Sequence, residues 1–156
     1  MGIVKLPKMN KTEIEKLIEE ENICRIAFIE DEYPYISPFQ YVYIDKHFYF
    51  HFTDYGKKKK ILQKNNKICI SIDKFAADLS EYSFISMQGH LTLVDDKEEQ
   101  KKVLKRMVDK AKQQFSPSFL SAHGFDKDSG WEGFELKDQV LYRFDQAGKT
   151  VALKSI

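Results

Sequence analysis

The chain is short of the residues that most directly announce a chemistry. It has two cysteines, four prolines, seven glycines and one tryptophan in 156 residues. The cysteines, Cys24 and Cys69, lie far apart in apolar segments. That spacing excludes a paired Cys-x-x-Cys zinc or redox motif and reads as two buried, reduced thiols. Charge of one sign is lacking too. Lys and Arg number 25 against 24 Asp and Glu, a formal net charge of +1, so no global field draws the molecule to nucleic acid or anionic lipid, and any preference for anions must be local. No run approaches the ~20 apolar residues that cross a bilayer. Residues 1–9 carry no long apolar stretch and no cleavage-like site, so the expectation is a soluble, cytoplasmic protein without a leader. The Walker pattern, the Gly-x-Gly-x-x-Gly fingerprint and the Gly-x-Ser-x-Gly elbow are all missing.

What is abundant is aromatic: 12 Phe and 8 Tyr, concentrated in the first 85 residues. Aromatic and β-branched enrichment suits strands. Residues 10–21 read as a helix with Ile14, Leu17 and Ile18 on one face and a capping box at Thr12 and Glu15. Strands follow at 23–29, 33–44 and 47–53, joined by a charged turn at 30–32 and a tight turn at Asp45–Lys46. Pro34 and Pro38 mark the second strand as an edge or a bulge. A short helix at 57–64 leads to strands at 67–75 and 82–94. A longer helix, capped at Asp96 with Glu99, runs to Ala111 or Gln114 and carries the stripe Val103, Leu104, Met107, Val108 and Ala111. Residues 116–130 read as loop. Strands at 132–136 and 139–144 and a last one at 149–154 complete the chain. With no repeat and no linker, 1–156 is one domain. It is a mainly β fold of six or seven antiparallel strands closed as a small barrel with peripheral helices.

Chemistry is concentrated at 48–60, Phe-Tyr-Phe-His-Phe-Thr-Asp-Tyr-Gly-Lys-Lys-Lys-Lys. Phe48, Phe50 and Phe52 share one face of a strand, and His47, Tyr49, His51 and Thr53 share the other. The strand ends at Gly56 and opens into a helix whose first turn is lysine. Helix N-termini favour negative charge, so a lysine-first helix is electrostatically unbalanced, and a bound phosphate restores the balance by accepting from backbone amides and lysines together. The alternative is a solvated lysine run, which is how Lys60 and Lys64 are read. In the preceding strand, Ser37-Pro38-Phe39-Gln40-Tyr41, the backbone of Phe39 and Gln40 can read the edge of a flat ring. A metal centre is not expected: His47 and His51, about 13 Å apart on a strand, cannot share an ion, and His90 and His123 stand alone. A nucleic-acid-binding barrel remains a competing class, with Tyr41, Tyr43, His47 and Tyr49 as stacking surfaces.

Several segments together resemble the FMN-binding split β-barrel superfamily, and in particular its small branch of pyridoxamine 5′-phosphate oxidase-related proteins that includes nitroimidazole-resistance flavoproteins. They are Ile23-Cys-Arg-Ile-Ala-Phe28, Pro34-Tyr-Ile-Ser-Pro-Phe-Gln-Tyr-Val-Tyr43, Phe50-His-Phe-Thr-Asp-Tyr-Gly-Lys-Lys58, Lys64-Asn-Asn-Lys-Ile-Cys-Ile70 and Met87-Gln-Gly-His-Leu-Thr-Leu-Val-Asp-Asp96. The resemblance implies a homodimer with FMN at the subunit interface, with deazaflavin or haem as variants of the ligand. It places the phosphate at Lys58 with Lys57 or Lys59, and the ribityl chain or phosphate beside Phe52 and Thr53. The flavin ring falls against Ser37, Pro38, Phe39, Gln40 and Tyr41, with His51 near it, and the partner chain contributes residues around Ser86 to Gln88. The implied activity is electron transfer from a reduced donor to a small acceptor such as a nitroaromatic or quinone-like compound, or else storage or sensing of flavin without turnover. The full oxidase's C-terminal substrate signature is poorly kept: Trp131-Glu-Gly-Phe134 echoes it, but Tyr142 and Arg143 stand where an arginine–histidine cluster belongs. This departure argues against pyridoxamine phosphate as substrate. The sequence names no catalytic residue.

Overall fold

The computed structural model describes residues 2–122 and 139–156. Among them the elements run α1 (Lys11–Glu20), β1 (Ile23–Phe28), β2 (Tyr35–Gln40), β3 (Val42–Ile44), β4 (His47–Thr53), α2 (Lys57–Lys64), β5 (Lys67–Phe75), β6 (Tyr82–Leu93), α3 (Lys97–Gln114), α4 (Pro117–Ala122) and β7 (Gln139–Lys154). The strands form one antiparallel sheet in the order β2-β1-β5-β6-β7-β4-β3. Its two edges, β2 and β3, are separated in the chain by Tyr41 alone. One run of backbone therefore supplies both ends of the sheet, and the sheet must curl on itself to bring them together. The result is a seven-stranded split barrel, as expected, with its opening along β2, where Pro38 costs no ladder hydrogen bond on the free side.

Alternation fills the interior. Phe48, Phe50 and Phe52 of β4 are buried with Ile26 and Phe28 of β1, Ile68, Ile70 and Ile72 of β5, Ile85 and Leu91 of β6 and Phe144 of β7. Each such side chain is worth on the order of 2 kcal/mol of transfer free energy. Leu17 and Ile18 of α1 join this core and plug one end. Outside the barrel, α3 lays Val103, Leu104, Val108 and Ala111 toward the sheet. A second apolar cluster forms there with Val42, Tyr49, Val94 and Leu141.

Local expectations need four corrections. The cap of α1 is Asn10 with Glu13, not Thr12 with Glu15: Asn10 Oδ1 accepts from Glu13 N at 2.8 Å and Glu13 Oε1 accepts from Asn10 N at 3.0 Å. The segment 33–44 is not one strand but β2 and β3, because the chain crosses from one edge to the other at Tyr41. Residues 117–122, read as loop, are a short helix. The two late strands at 139–144 and 149–154 are one 16-residue strand, β7. A register shift absorbs the break: Met87 lies opposite Thr150, but Gly89 lies opposite Gln146, with Gly148 at φ +94° in the bulge. The expected strand at 132–136 and the Trp131–Phe134 signature lie outside the described residues. No described helix is long and apolar enough to cross a membrane.

At Gly89, β6 and β7 approach too closely for a side chain. A Cβ built there meets the Asp145 carbonyl oxygen at 2.3 Å and the Phe144 ring at 2.6 Å. The obstacle is backbone as well as ring, so it cannot rotate away. Gly89→Ala is expected to destabilise the fold by about 1–3 kcal/mol, the usual cost of overpacking. A lowered urea midpoint at unchanged slope checks this, and an unchanged midpoint contradicts it.

Candidate functional site

The site is built where β4 leaves the barrel. After Thr53 the chain turns through Asp54 and Tyr55, with Thr53 Oγ1 donating to the Tyr55 carbonyl at 2.9 Å, and Gly56 takes φ +91° as the N-cap of α2. Side chains rarely adopt that angle, whereas glycine does so freely. No side chain caps the helix and no acidic residue stands in its first turn, so its free amides face outward beside four lysines.

The lysines divide by partner. Lys57 Nζ lies 3.2 Å from Glu30 and 4.4 Å above the Tyr35 ring. Lys59 folds back onto the turn, 2.9 Å from Asp54 Oδ1 and 3.1 Å from its carbonyl oxygen. Lys58 lies over the Phe39 ring at 5.1 Å and, among the described residues, has no carboxylate partner. Phe39 in turn packs against Phe52 at 4.8 Å and against Phe50 and Phe28. Strand β2 and the turn that joins the end of β4 to the start of α2 thus meet as a cationic group over an aromatic shelf.

The structure brings Phe39, Phe52, Thr53, Lys57, Lys58 and Lys59 into this corner. Ser37 is buried on the same face of β2 as Phe39, while Pro38 and Gln40 are exposed on the other. Tyr41 is 2% exposed and its hydroxyl donates to the Ile18 carbonyl of α1, so its ring belongs to the barrel interior. His51 alternates with Phe52 and lies on the outer face with Tyr49. Gln88 lies away from the corner, at the β7 bulge, where its Oε1 accepts from Lys149 N at 3.1 Å. Sequence reasoning passed over Tyr35 and Glu30, the partners of Lys57. Tyr35 had a signal, since it shares the period-2 face of Ser37 and Phe39.

A second polar cluster sits under the start of α3. Arg143 of β7 donates from Nη1 to Glu99 at 3.1 Å and from Nε to Asp145 at 2.9 Å. Tyr49 donates to Glu99 at 2.8 Å and Thr92 to Asp145 at 2.6 Å. The expected Asp96–Glu99 cap is therefore half made. Asp96 accepts from Glu99 N, but the Glu99 carboxylate is drawn to Arg143 and Tyr49. Burial and the Glu99 contact push the Tyr49 hydroxyl up to about 12. Burial opposes ionisation of Asp145, yet the bonds from Arg143 and Thr92 hold its carboxyl below the usual range. Among the described residues no group of three His, Cys, Asp or Glu side chains is placed to hold a metal ion.

The family model for pyridoxamine 5′-phosphate oxidase matches residues 10–124. The chain belongs to this family. No curated protein matches it. Among solved structures, it is similar to a FAD-binding protein from Mesorhizobium loti, at 20% identity over 98% of this chain and 100% of that one, with a TM-score of 0.65. It is similar to a candidate 5-nitroimidazole antibiotic resistance protein from Bacteroides thetaiotaomicron, at 20% identity over 96% and 90%, TM-score 0.66. It also resembles the haem storage protein from Vibrio cholerae, at 14% identity over 92% and 94%, TM-score 0.66. At these identities the likeness is one of fold. The family's split barrel is the architecture described above, and the Gly56–Lys58 turn falls inside the matched residues.

Lys110 of α3 holds the Tyr41 end of β2 in place, donating from Nζ to the Tyr41 carbonyl at 2.9 Å. Burial, and then nearby Arg106, bring its pKa down to about 8. Its unfolded value is about 10.4, so between these values the unfolded chain binds the extra proton and stability gained through this group rises with pH. Buried Cys24, pushed up to about 12, works in the opposite direction, so the comparison must be made against a variant. Relative to Lys110→Met, the natural chain is expected to gain stability as pH rises from about 8 to 10. Parallel stability–pH curves for the two proteins would contradict that assignment.

Proposed function

We propose that the protein is an FMN-binding flavoprotein that acts as a homodimer and passes electrons from a reduced donor to a small acceptor such as a nitroaromatic or quinone-like compound. The observation that carries this reading is Lys58 over the Phe39–Phe52 shelf beside the uncapped start of α2. A phosphate ester fits that corner: it meets free amides, a lysine without a carboxylate partner among the described residues, and no acidic side chain in the first helical turn. Lys58 would hold the phosphate with the α2 amides, Thr53 would flank it, and Phe39, backed by buried Phe52, would support the ring with the open edge of β2. The bound flavin supplies the redox chemistry, and the protein supplies binding, orientation and charge. Positive charge at this corner favours the anion that reduction of a flavin produces. Family membership and the FAD-binding and nitroimidazole-resistance relatives support the same reading.

The dimer is supported by the outer face of β2, β1, β5, β6 and the C-terminal end of β7. There Pro38, Arg25, Ser71, Ser86 and Val151 align across the strands. Ile36 is 61% exposed opposite Ala27, and Val151 is 44% exposed opposite Ser86. An open face of this kind suits a second copy, which would bring its own Ser86–Gln88 segment toward the site.

The purified protein, mixed with FMN and desalted, is expected to retain visible flavin bands at about one flavin per chain and to elute as a dimer. A colourless protein overturns the reading. Flavin retention without oxidation of a reduced nicotinamide dinucleotide by any nitroaromatic or quinone leaves a flavin store in place of an oxidoreductase. Lys58→Ala is expected to weaken FMN binding by about 1.5–3 kcal/mol, the scale of a charged hydrogen bond, and an unchanged affinity would remove the phosphate from that position.

A further inference from the structure

Between α2 and the β1–β2 turn lies a cleft of about 520 Å³, in the range of small-molecule sites. Its lining includes neither Lys58 nor Phe39. It presents Lys57, Lys60 and Lys64 from α2, Ile61 between them, and Ile29, Glu30 and Asp31 opposite. Positions 57, 60, 61 and 64 form a single helical face, about 10 Å long at 1.5 Å per residue. Like charges at this spacing repel. Lys57 is offset by Glu30, but Lys60 and Lys64 have no carboxylate partner among the described residues, although read from sequence alone they are merely solvated. Ile29, 54% exposed, lies along the same cleft and gives it an apolar wall. Cations on one side, and Ile29 with the acceptor oxygens of Glu30 and Asp31 on the other, suit a phosphate ester carrying a flat base and a hydroxylated sugar, the phosphate lying toward the lysines and the sugar hydroxyls toward the carboxylates.

We propose that this cleft is a second nucleotide subsite, which takes the adenylate moiety of a dinucleotide. It rests on the flavin reading in one respect: Lys57 borders both the cleft and the β2 aromatics, so an adenylate held here adjoins a flavin phosphate held at Lys58. The adenylate has two sources with this chemistry, the dinucleotide form of the flavin or a nicotinamide reductant. Lys60 and Lys64 are its positive contacts and Ile29 its apolar one, with Glu30 accepting from the sugar.

The test uses the full chain and the double variant Lys60→Glu/Lys64→Glu, both positions being solvent-exposed, with circular dichroism confirming that the variant folds. Calorimetry with ADP on the apoprotein and on the FMN-loaded protein is expected to show binding that the variant weakens at least about tenfold, with FMN affinity altered less than about twofold. If FAD binds the natural chain more tightly than FMN and the variant removes the difference, the adenylate belongs to the flavin. If FAD and FMN bind alike and the variant raises the Kd of the reduced nicotinamide dinucleotide, it belongs to the reductant. ADP, FAD and nicotinamide dinucleotide affinities all indifferent to the charge reversal overturn the subsite. Tripolyphosphate binding as tightly as ADP reduces it to charge attraction and overturns the nucleotide assignment. An apoprotein that rejects FMN yet binds ADP through Lys60 and Lys64 separates the outcomes: the flavin reading fails and the cleft stands.

Discussion

The whole architecture turns on Tyr41. The chain runs along one edge of the sheet as β2, passes through this residue, and continues along the opposite edge as β3. A flat sheet cannot have strands one residue apart in the chain at its two opposite edges, so the curl follows from connectivity. Tyr41 is held from both sides: its hydroxyl on the Ile18 carbonyl of α1 and its own carbonyl under Lys110 of α3. The price is a partly desolvated lysine and a tyrosine hydroxyl whose ionisation burial opposes. With the crossing residue fixed, β2 is left with one paired side and one open one, and the aromatic shelf stands at that opening.

The lysine-rich start of α2 is a conflict that the fold softens but does not remove. Glu30 and Asp54 offset Lys57 and Lys59, and the rings of Tyr35 and Phe39 lie under Lys57 and Lys58. Exposed ion pairs and cation–π contacts of this kind contribute about 1 kcal/mol or less apiece. None supplies the anion that the helix amides call for, and Lys58, Lys60 and Lys64 remain without a carboxylate among the described residues. The proposed phosphate site and adenylate cleft place negative ligands where the unbalanced charge stands.

Much of this was legible in the sequence. The alternation of Phe48, Phe50 and Phe52 gave the barrel face, and the stripe Val103–Leu104–Val108–Ala111 gave the face of α3. Pro38 marked the edge strand, and Gly56 before a lysine run marked the candidate site. What sequence hid was decided by long-range partners. The break at Tyr41 leaves no local signal, because an aromatic residue continues a strand pattern as well as it interrupts one. Glu99 reads as a capping residue until Arg143, 44 positions away, competes for its carboxylate. The β7 bulge reads as a turn between two strands because Gly148 interrupts the pattern, whereas pairing with β6 carries the strand through it. Lys60 and Lys64 read as surface charges because the wall facing them belongs to the β1–β2 turn.

The two sides of the barrel are built to different ends. Along β3, β4 and β7 the outer face is closed by α3, whose apolar stripe and the Tyr49–Glu99–Arg143–Asp145 network tie helix to sheet. Half-buried, mutually paired charges of this kind favour one arrangement, since losing either partner leaves the other partly desolvated. Along β2, β1, β5 and β6 the outer face carries small and apolar side chains and the Arg25–Asp73 ion pair, with no such cover among the described residues. The candidate site lies where these regimes meet, with Phe52 and the Gly56 turn leaving the fixed wall and Phe39 on the open edge. A ligand held there contacts a rigid support and an available face at once, and for that reason a site at this corner would be completed by a second copy of the chain more readily than by any movement within one.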